Sequence, residues 1–243
     1  MPVLAYANPE RFARLASSLT PWFLGSAIGL LLAGLFLGLF MAPPDYQQGD
    51  AARIMYVHVP AAWMSMFVYG CMALASAAAF IWKHPLADVA AKASAPVGCI
   101  FTALALITGM LWGKPMWGAW WVWDARLTSV LILFFMYLGY IVLWSAIEDP
   151  ARAARAARIL ALVGAINIPI IKFSVDWWNT LHQGATVFRT DGPSITSSML
   201  IPLLVMAVAY NVLYAALLLI RMRAEIAERR LRSIRLGLEF EPK

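Results

Sequence analysis

Six apolar runs of about twenty residues each dominate this 243-residue chain: Trp22 to Met41, Ala61 to Trp82, Ser94 to Trp112, Leu127 to Ile147, Ala156 to Val175 and Ile195 to Ile220. A helix needs about 20 mostly apolar residues to cross the hydrocarbon layer of a bilayer. The expected fold is therefore an all-α integral membrane protein, with six transmembrane helices in one polytopic domain over residues 1–243. Composition agrees: 62% of residues are hydrophobic and only 13% charged, against roughly 25% charged in a soluble domain. The fifth run carries Arg158 and Lys172 near its ends, where long side chains reach the interface. The sixth stops at Arg221.

About twenty mixed residues precede the first run and no small-residue cleavage site follows it. It reads as a retained anchor and not as a cleavable signal. Lys and Arg then set the orientation. With the N-terminus inside, fourteen of the nineteen face the cytoplasm: Arg11, Arg14, Lys83, Lys92, Arg152, Arg155, Arg158 and the seven from Arg221 to Lys243. Arg53, Lys114, Arg126, Lys172 and Arg189 face out. Both termini are expected on the cytoplasmic side. The net charge of +6 reports topology and attraction to anionic lipid, with no nucleic-acid partner implied. The basic tail over 221–243 reads as a solvated helix, with a docking site as the alternative.

Cys71 and Cys99 fall inside the second and third runs and form no CxxC pair, which argues against a membrane thiol oxidoreductase. No phosphate loop, HExxH or nucleophile elbow occurs. No catalytic residues are assigned, and any ATP hydrolysis would belong to a partner subunit.

The distinctive chemistry lies in three outer loops, 42–60, 112–126 and 176–194. WGKPMWGAWWVWD, from Trp112 to Asp124, packs five tryptophans into twelve residues. An interfacial aromatic belt would balance the two membrane surfaces. Here Trp63, Trp112, Trp117, Trp120, Trp121, Trp123, Trp177 and Trp178 are outside, against Trp22, Trp82 and Trp144 inside. Trp117, Trp120, Trp121 and Asp124 are spaced i, i+3, i+4, i+7. If helical they share one face, and Pro115 suits the first turn. The segment then reads as a short amphipathic surface helix that offers indole faces to a flat ligand, while Asp124 orients a polar partner. Structural packing is the alternative.

Of three histidines, His84 lies on the inner side and reads as a surface residue. His58 and His182 lie in outer loops close to span ends. Their neighbours Arg53 and Tyr56, and Asn179 and Gln183, are able to orient a ring. A flat aromatic shelf beside two imidazoles suggests a large, flat, metal-containing ligand, with haem the obvious candidate and the imidazoles as axial ligands. Positive-inside logic disfavours Arg53, Arg126 and Arg189 at the outer surface. A guanidinium fork binds carboxylates such as haem propionates. Arg126, beside the tryptophans, is favoured for that role, and an ion pair with a nearby aspartate for Arg189.

WGKPMWGAWWVWDARLTS resembles the "WWD" signature of haem-handling proteins in cytochrome c biogenesis. With six spans and the flanking strings DYQQGDAARIMYVHVP and SVDWWNTLHQG, nearly the whole chain resembles the cytochrome c maturation protein C (CcmC) family of the bacterial System I pathway. The resemblance implies His58 and His182 as axial ligands of haem b at the periplasmic face. Trp112, Trp117, Trp120, Trp121, Trp123, Asp124, Trp177 and Trp178 would form its platform. Arg53, Arg126, Asn179 and Gln183 would make propionate or polar contacts. It also implies an ABC-type complex with an ATPase subunit (CcmA-like), a second membrane subunit (CcmB-like) and a small single-span subunit (CcmD-like). The haem would pass to a membrane-anchored periplasmic haem chaperone (CcmE-like). The polar loop from Asp45 to Arg53, through Asp45, Gln48 and Arg53, is expected to dock that chaperone. Two rivals stay open: a bis-histidine electron-transfer cytochrome, and a permease subunit whose aromatic loop is structural.

Overall fold

The computed structural model describes residues 8–178, 180–182, 184 and 186–239. Among these residues seven α-helices make six units long and apolar enough to cross a membrane. They are α1 (Pro9–Phe36), α2 (Met55–Trp82), α3 (Ala87–Trp117), α4 (Ala125–Ala146), α5 (Pro150–Gly164), α6 (Asn167–Trp177) and α7 (Ser197–Glu239). No strand forms among the described residues; Asp45 and Gly49 make one isolated bridge. The all-helical, six-span expectation holds. The helices overshoot the apolar runs: the 31 residues of α3 extend about 46 Å at 1.5 Å each, beyond a hydrocarbon core of ~30 Å.

Small residues let the central helices approach closely. On α3, Ala91, Ala95, Gly98, Thr102 and Ala105 are buried. A Cβ on Gly98 would fall 2.3 Å from the Tyr137 ring, so only glycine admits that side chain. Several buried hydroxyls find acceptors, as an apolar solvent demands, while those of Tyr56 and Ser76 have none among the described residues. Tyr137 donates to Ser65 O at 2.8 Å, Tyr69 to Leu160 O at 3.2 Å, and Ser94 and Tyr214 share a hydrogen bond of 2.8 Å. Cys71 and Cys99 are half-buried and unpaired.

The fifth run is not one continuous helix. It divides at Ala165 and Ile166 into α5 and α6. Pro169, in the first turn of α6, has no N–H to give a carbonyl of the preceding turn. Gly164 sits against Tyr69, whose hydroxyl would be 2.0 Å from any Cβ there. Asn167 Nδ2 donates to Ser129 O at 2.8 Å, so the break carries its own polar anchor.

The basic tail is no separate segment, because α7 runs unbroken to Glu239. Buried Glu225 accepts from Lys92 and Arg229, both at 2.7 Å. Arg230 pairs with Glu10 at 3.4 Å, so the start of α1 and the last part of α7 lie at one end of the bundle. Arg158 pairs with Asp88 there. The starts of α2 and α4, the end of α3 and the loop after α6 gather at the opposite end.

Candidate functional site

The end of α3 is set by Gly118, at φ 73°, a left-handed conformation that glycine adopts without strain. Its N–H bonds to Lys114 O at 3.1 Å, and its carbonyl accepts from Lys114 Nζ at 3.1 Å. This corrects the expected surface helix. Pro115 and Trp117 belong to the last turns of α3, while Trp120, Trp121 and Trp123 follow in non-helical backbone. Asp124 then caps α4, its Oδ1 accepting from Leu127 N at 2.7 Å. Spacing alone suggested a shared helical face; a positive-φ glycine inside the segment prevents it.

His58 is likewise not in a loop. It lies in the first turns of α2, after a 3₁₀ turn over Asp50–Ile54. Its Nδ1 is 3.1 Å from Thr108 Oγ1 on α3. Thr108 spends its hydroxyl proton on Leu104 O at 2.6 Å. The hydroxyl oxygen can therefore only accept from His58, which places the proton on Nδ1 and leaves the Nε2 lone pair free. Gly109 makes room for the ring: a Cβ there would be 3.0 Å from His58 Cε1. Trp112 packs nearly perpendicular to the ring, with centroids 5.6 Å apart.

His182 is held in a parallel way. Its Nδ1 lies 3.0 Å from Asp124 Oδ2, so Nδ1–H donates to the carboxylate and Nε2 is again the free nitrogen. Thr180 donates its hydroxyl to the same carboxylate oxygen, and Thr180 Oγ1 accepts from His182 N at 3.1 Å. Trp117 packs edge-on at 5.0 Å between centroids. Burial pushes His182 below the usual imidazole value, opposed by the hydrogen bond and charge of Asp124. Burial alone would raise Asp124, yet hydrogen bonds from Thr180, Leu127 N–H and His182 hold it below the usual carboxylate value. The pair is thus a neutral imidazole on a carboxylate, the arrangement that fixes metal-binding histidines.

Both imidazoles line one cavity of about 560 Å³, within the roughly 300–1,000 Å³ of small-molecule sites. Its walls are largely apolar, with Met66, Leu106, Met199 and Leu203 reaching into the bundle. Arg126 and Lys172 supply the cations. Arg126 Nε is 3.3 Å from Ser174 Oγ and Nη2 is 3.4 Å from Lys172 O.

Only part of the expected platform faces this cavity. Trp112, Trp117 and Trp63 line it; Trp120, Trp121, Trp123, Trp177 and Trp178 do not. Trp120, Trp123, Trp177 and Trp178 are exposed. Trp121 stacks edge-on against Trp123, and its buried indole N–H has no acceptor among the described residues.

The arginine expectations divide. Arg53 bonds to Asp50 at 2.8 Å and donates to Gly38 O and Leu39 O at 3.2 and 3.0 Å. It thereby caps the π-helical turn Leu37–Met41 that ends the first span. Neither it nor Tyr56, whose ring packs on Gly38, orients His58. Among the described residues Arg189 forms no ion pair. Asn179 and Gln183 lie outside the described residues. In the polar loop, Asp45 Oδ1 accepts from Gln47 N and Gln48 N at 2.9 and 2.8 Å, closing a tight turn. Gln48 Oε1 accepts from Trp112 Nε1 at 2.9 Å. Beside Asp124, Thr108, Gly109, Thr180 and Gln48 thus hold the imidazoles and their aromatic neighbours. A polar Thr-Gly pair one turn before Trp112, inside an apolar run, was the signal for the first two.

The sequence matches the family model described as Heme exporter protein C over residues 2–236. Curated proteins called Heme exporter protein C are similar to it over most of both chains. The one from Bradyrhizobium diazoefficiens is 59% identical across 97% of this chain and 89% of that protein. That from Haemophilus influenzae is 51% identical across 91% and 90%. The Escherichia coli K12 protein is 48% identical across 89% and 87%. On a match that spans nearly the whole sequence, the chain belongs to the Heme exporter protein C family.

Proposed function

We propose that this chain is a non-catalytic haem-handling membrane subunit of c-type cytochrome biogenesis, and that it holds haem b between His58 and His182. One observation carries the reading: two imidazoles line a single cavity, each with Nδ1 engaged and Nε2 left as a donor. Two nitrogens are too few for a bare ion such as zinc, which takes four ligands in structural sites. They suffice for an iron whose equatorial positions are filled by a porphyrin. Trp112 and Trp117 sit beside the imidazoles, and Arg126 and Lys172 offer cations to the propionates. The names of the relatives support haem as cargo.

The site end of the bundle is the periplasmic face of the bacterial inner membrane in this reading, and the Glu10–Arg230 end is cytoplasmic. The bias of Lys and Arg supports that orientation. From there the chain presents haem to a membrane-anchored periplasmic chaperone. It works within an ABC-type assembly with an ATPase subunit, a second membrane subunit and a small single-span subunit.

Absorption spectroscopy of the detergent-purified chain with added haem tests the site. A six-coordinate bis-histidine spectrum is expected, lost in the His58→Ala/His182→Ala double variant and kept in His84→Ala. A double variant with an unchanged spectrum would remove both ligands from the reading. Reporter fusions test the face: cytoplasmic after Lys92 and Arg155, periplasmic after Pro115. A periplasmic signal at Lys92 would put the cavity on the wrong side.

A further inference from the structure

We infer that the two imidazoles are unequal ligands: His182 is the retained axial ligand, and His58 is the exchangeable one, at which an acceptor's donor atom enters. The inference rests on the bis-histidine reading above and adds an order of events to it.

The first support is what stands behind each ring. His182 donates to a carboxylate at 3.0 Å, and Asp124 is buried, at 8% exposure. An anionic acceptor draws the Nδ1 proton and makes Nε2 a stronger donor to iron. His58 donates to a neutral hydroxyl oxygen at 3.1 Å, and that hydroxyl is already committed to Leu104 O. Its Nε2 gains far less.

The second support is mechanical and independent of donor strength. Asp124 is fixed by its other oxygen to the first turn of α4, and Thr180 ties both the carboxylate and His182 N. His182 is thereby tied to the first turn of a membrane-spanning helix. The aromatic neighbour of His58 is attached elsewhere. Trp112 is held by Gln48 at 2.9 Å, and Gln48 belongs to the turn closed by the Asp45–Gly49 bridge. Tyr46, in that turn, is 91% exposed. A partner that touches the turn acts on Trp112 and, through it, on His58.

Exchange then runs as a simple substitution. The Fe–Nε2 bond to His58 breaks and its electron pair returns to the nitrogen. A neutral donor from the acceptor supplies the replacing pair. No electron or proton changes hands, and His58 keeps its Nδ1–H on Thr108.

The test uses the full-length chain in detergent, loaded with ferric haem. His58→Ala should keep its haem as a five-coordinate species on His182, and added imidazole should return it to six-coordinate. His182→Ala should lose most of its haem. Asp124→Asn, which keeps the helix cap, should weaken haem affinity by about 10–100-fold, the usual cost of removing such a partner, and Thr108→Val by much less. Equal haem loss in the two alanine variants, or the reverse order, would overturn the inference while leaving bis-histidine ligation intact. A wild-type spectrum without two histidines would remove ligation itself. Should His182→Ala fail to accumulate, carbon monoxide binding to the reduced protein decides. Thr108→Val should bind it several-fold faster than wild type, because departure of His58 limits the rate. An unchanged rate would overturn the inference.

Discussion

Asp124 and His182, 58 positions apart in sequence, form one unit: Oδ2 accepts from the imidazole at 3.0 Å while Oδ1 starts α4 through Leu127 N at 2.7 Å. One side chain thus fixes a ring and begins a membrane-spanning helix. Asp124→Ala should therefore lose both. The cap alone is worth ~1 kcal/mol, within a range of about 0.5–2, so the melting temperature of the haem-free protein should fall. Asp124→Asn keeps a capping oxygen and should melt near wild type. Equal melting of Asp124→Ala and wild type would show that the cap adds nothing.

Acid should weaken haem binding from the His182 side. Only the neutral ring donates to iron, and burial holds His182 below its usual value of 6.5. Haem affinity should stay level as pH falls to about 6.5 and decline only in more acidic solution. Stability follows the same sign. The unfolded chain takes up the His182 proton first, so stability is full above 6.5 and is lost as pH falls from there towards the folded value. Asp124, held below 3.8, adds a loss at still lower pH. A haem-binding titration with its midpoint above 6.5 would contradict the burial argument.

Gly109 lies where the His58 ring must fit, and a Cβ would come within 3.0 Å of Cε1. Gly109→Ala should favour the helix by up to about 1 kcal/mol, yet shift His58. The expected signature is an unchanged or higher melting temperature with an altered haem spectrum. A normal spectrum would mean that the ring has slack on that side.

The six spans were legible because length and hydropathy are local properties. Helix boundaries and the division of the fifth run were not, since Gly164 is explained by its contact with Tyr69, a residue three spans earlier. His58, His182 and Asp124 stood out as rare polar groups beside the tryptophans. Thr108 did not, because a threonine in an apolar helix ordinarily bonds only its own preceding turn, as this one does to Leu104 O. Its second contact depends on the α2–α3 packing. The tryptophan period misled for a definite reason: one glycine at φ 73° ends α3 at Trp117, and the rest of the motif follows in non-helical backbone.

That division gives the tryptophans different expected phenotypes. Trp112 and Trp117 touch the imidazoles edge-on, contacts worth ~0.5–1.5 kcal/mol per pair. Trp112→Ala and Trp117→Ala should each weaken haem retention by about twofold to tenfold. Trp120→Ala and Trp123→Ala, at 52% and 75% exposure, should leave haem bound. Competition with apomyoglobin measures the four rates of haem loss. Equal loss from all four would return the exposed indoles to the platform.

On the proposed reading, the turn from Asp45 to Gly49 separates haem holding from partner docking. Asp45 shapes it through two backbone amides and Gln48 steadies Trp112, so changing either disturbs the cavity as well as the surface. Tyr46 also borders the cavity, but its side chain bonds neither the turn nor Trp112 and stands 91% exposed. Exposed rim residues act mainly on association, and buried ones on what stays bound. Tyr46→Ala should therefore reduce co-purification of the proposed periplasmic haem chaperone while the haem spectrum stays as in wild type. Gln48→Ala should alter the spectrum, because Trp112 loses its acceptor beside His58. If Tyr46→Ala captures the chaperone as well as wild type does, the docking surface lies elsewhere, and the exposed indoles of Trp120 and Trp123 are the next positions to change.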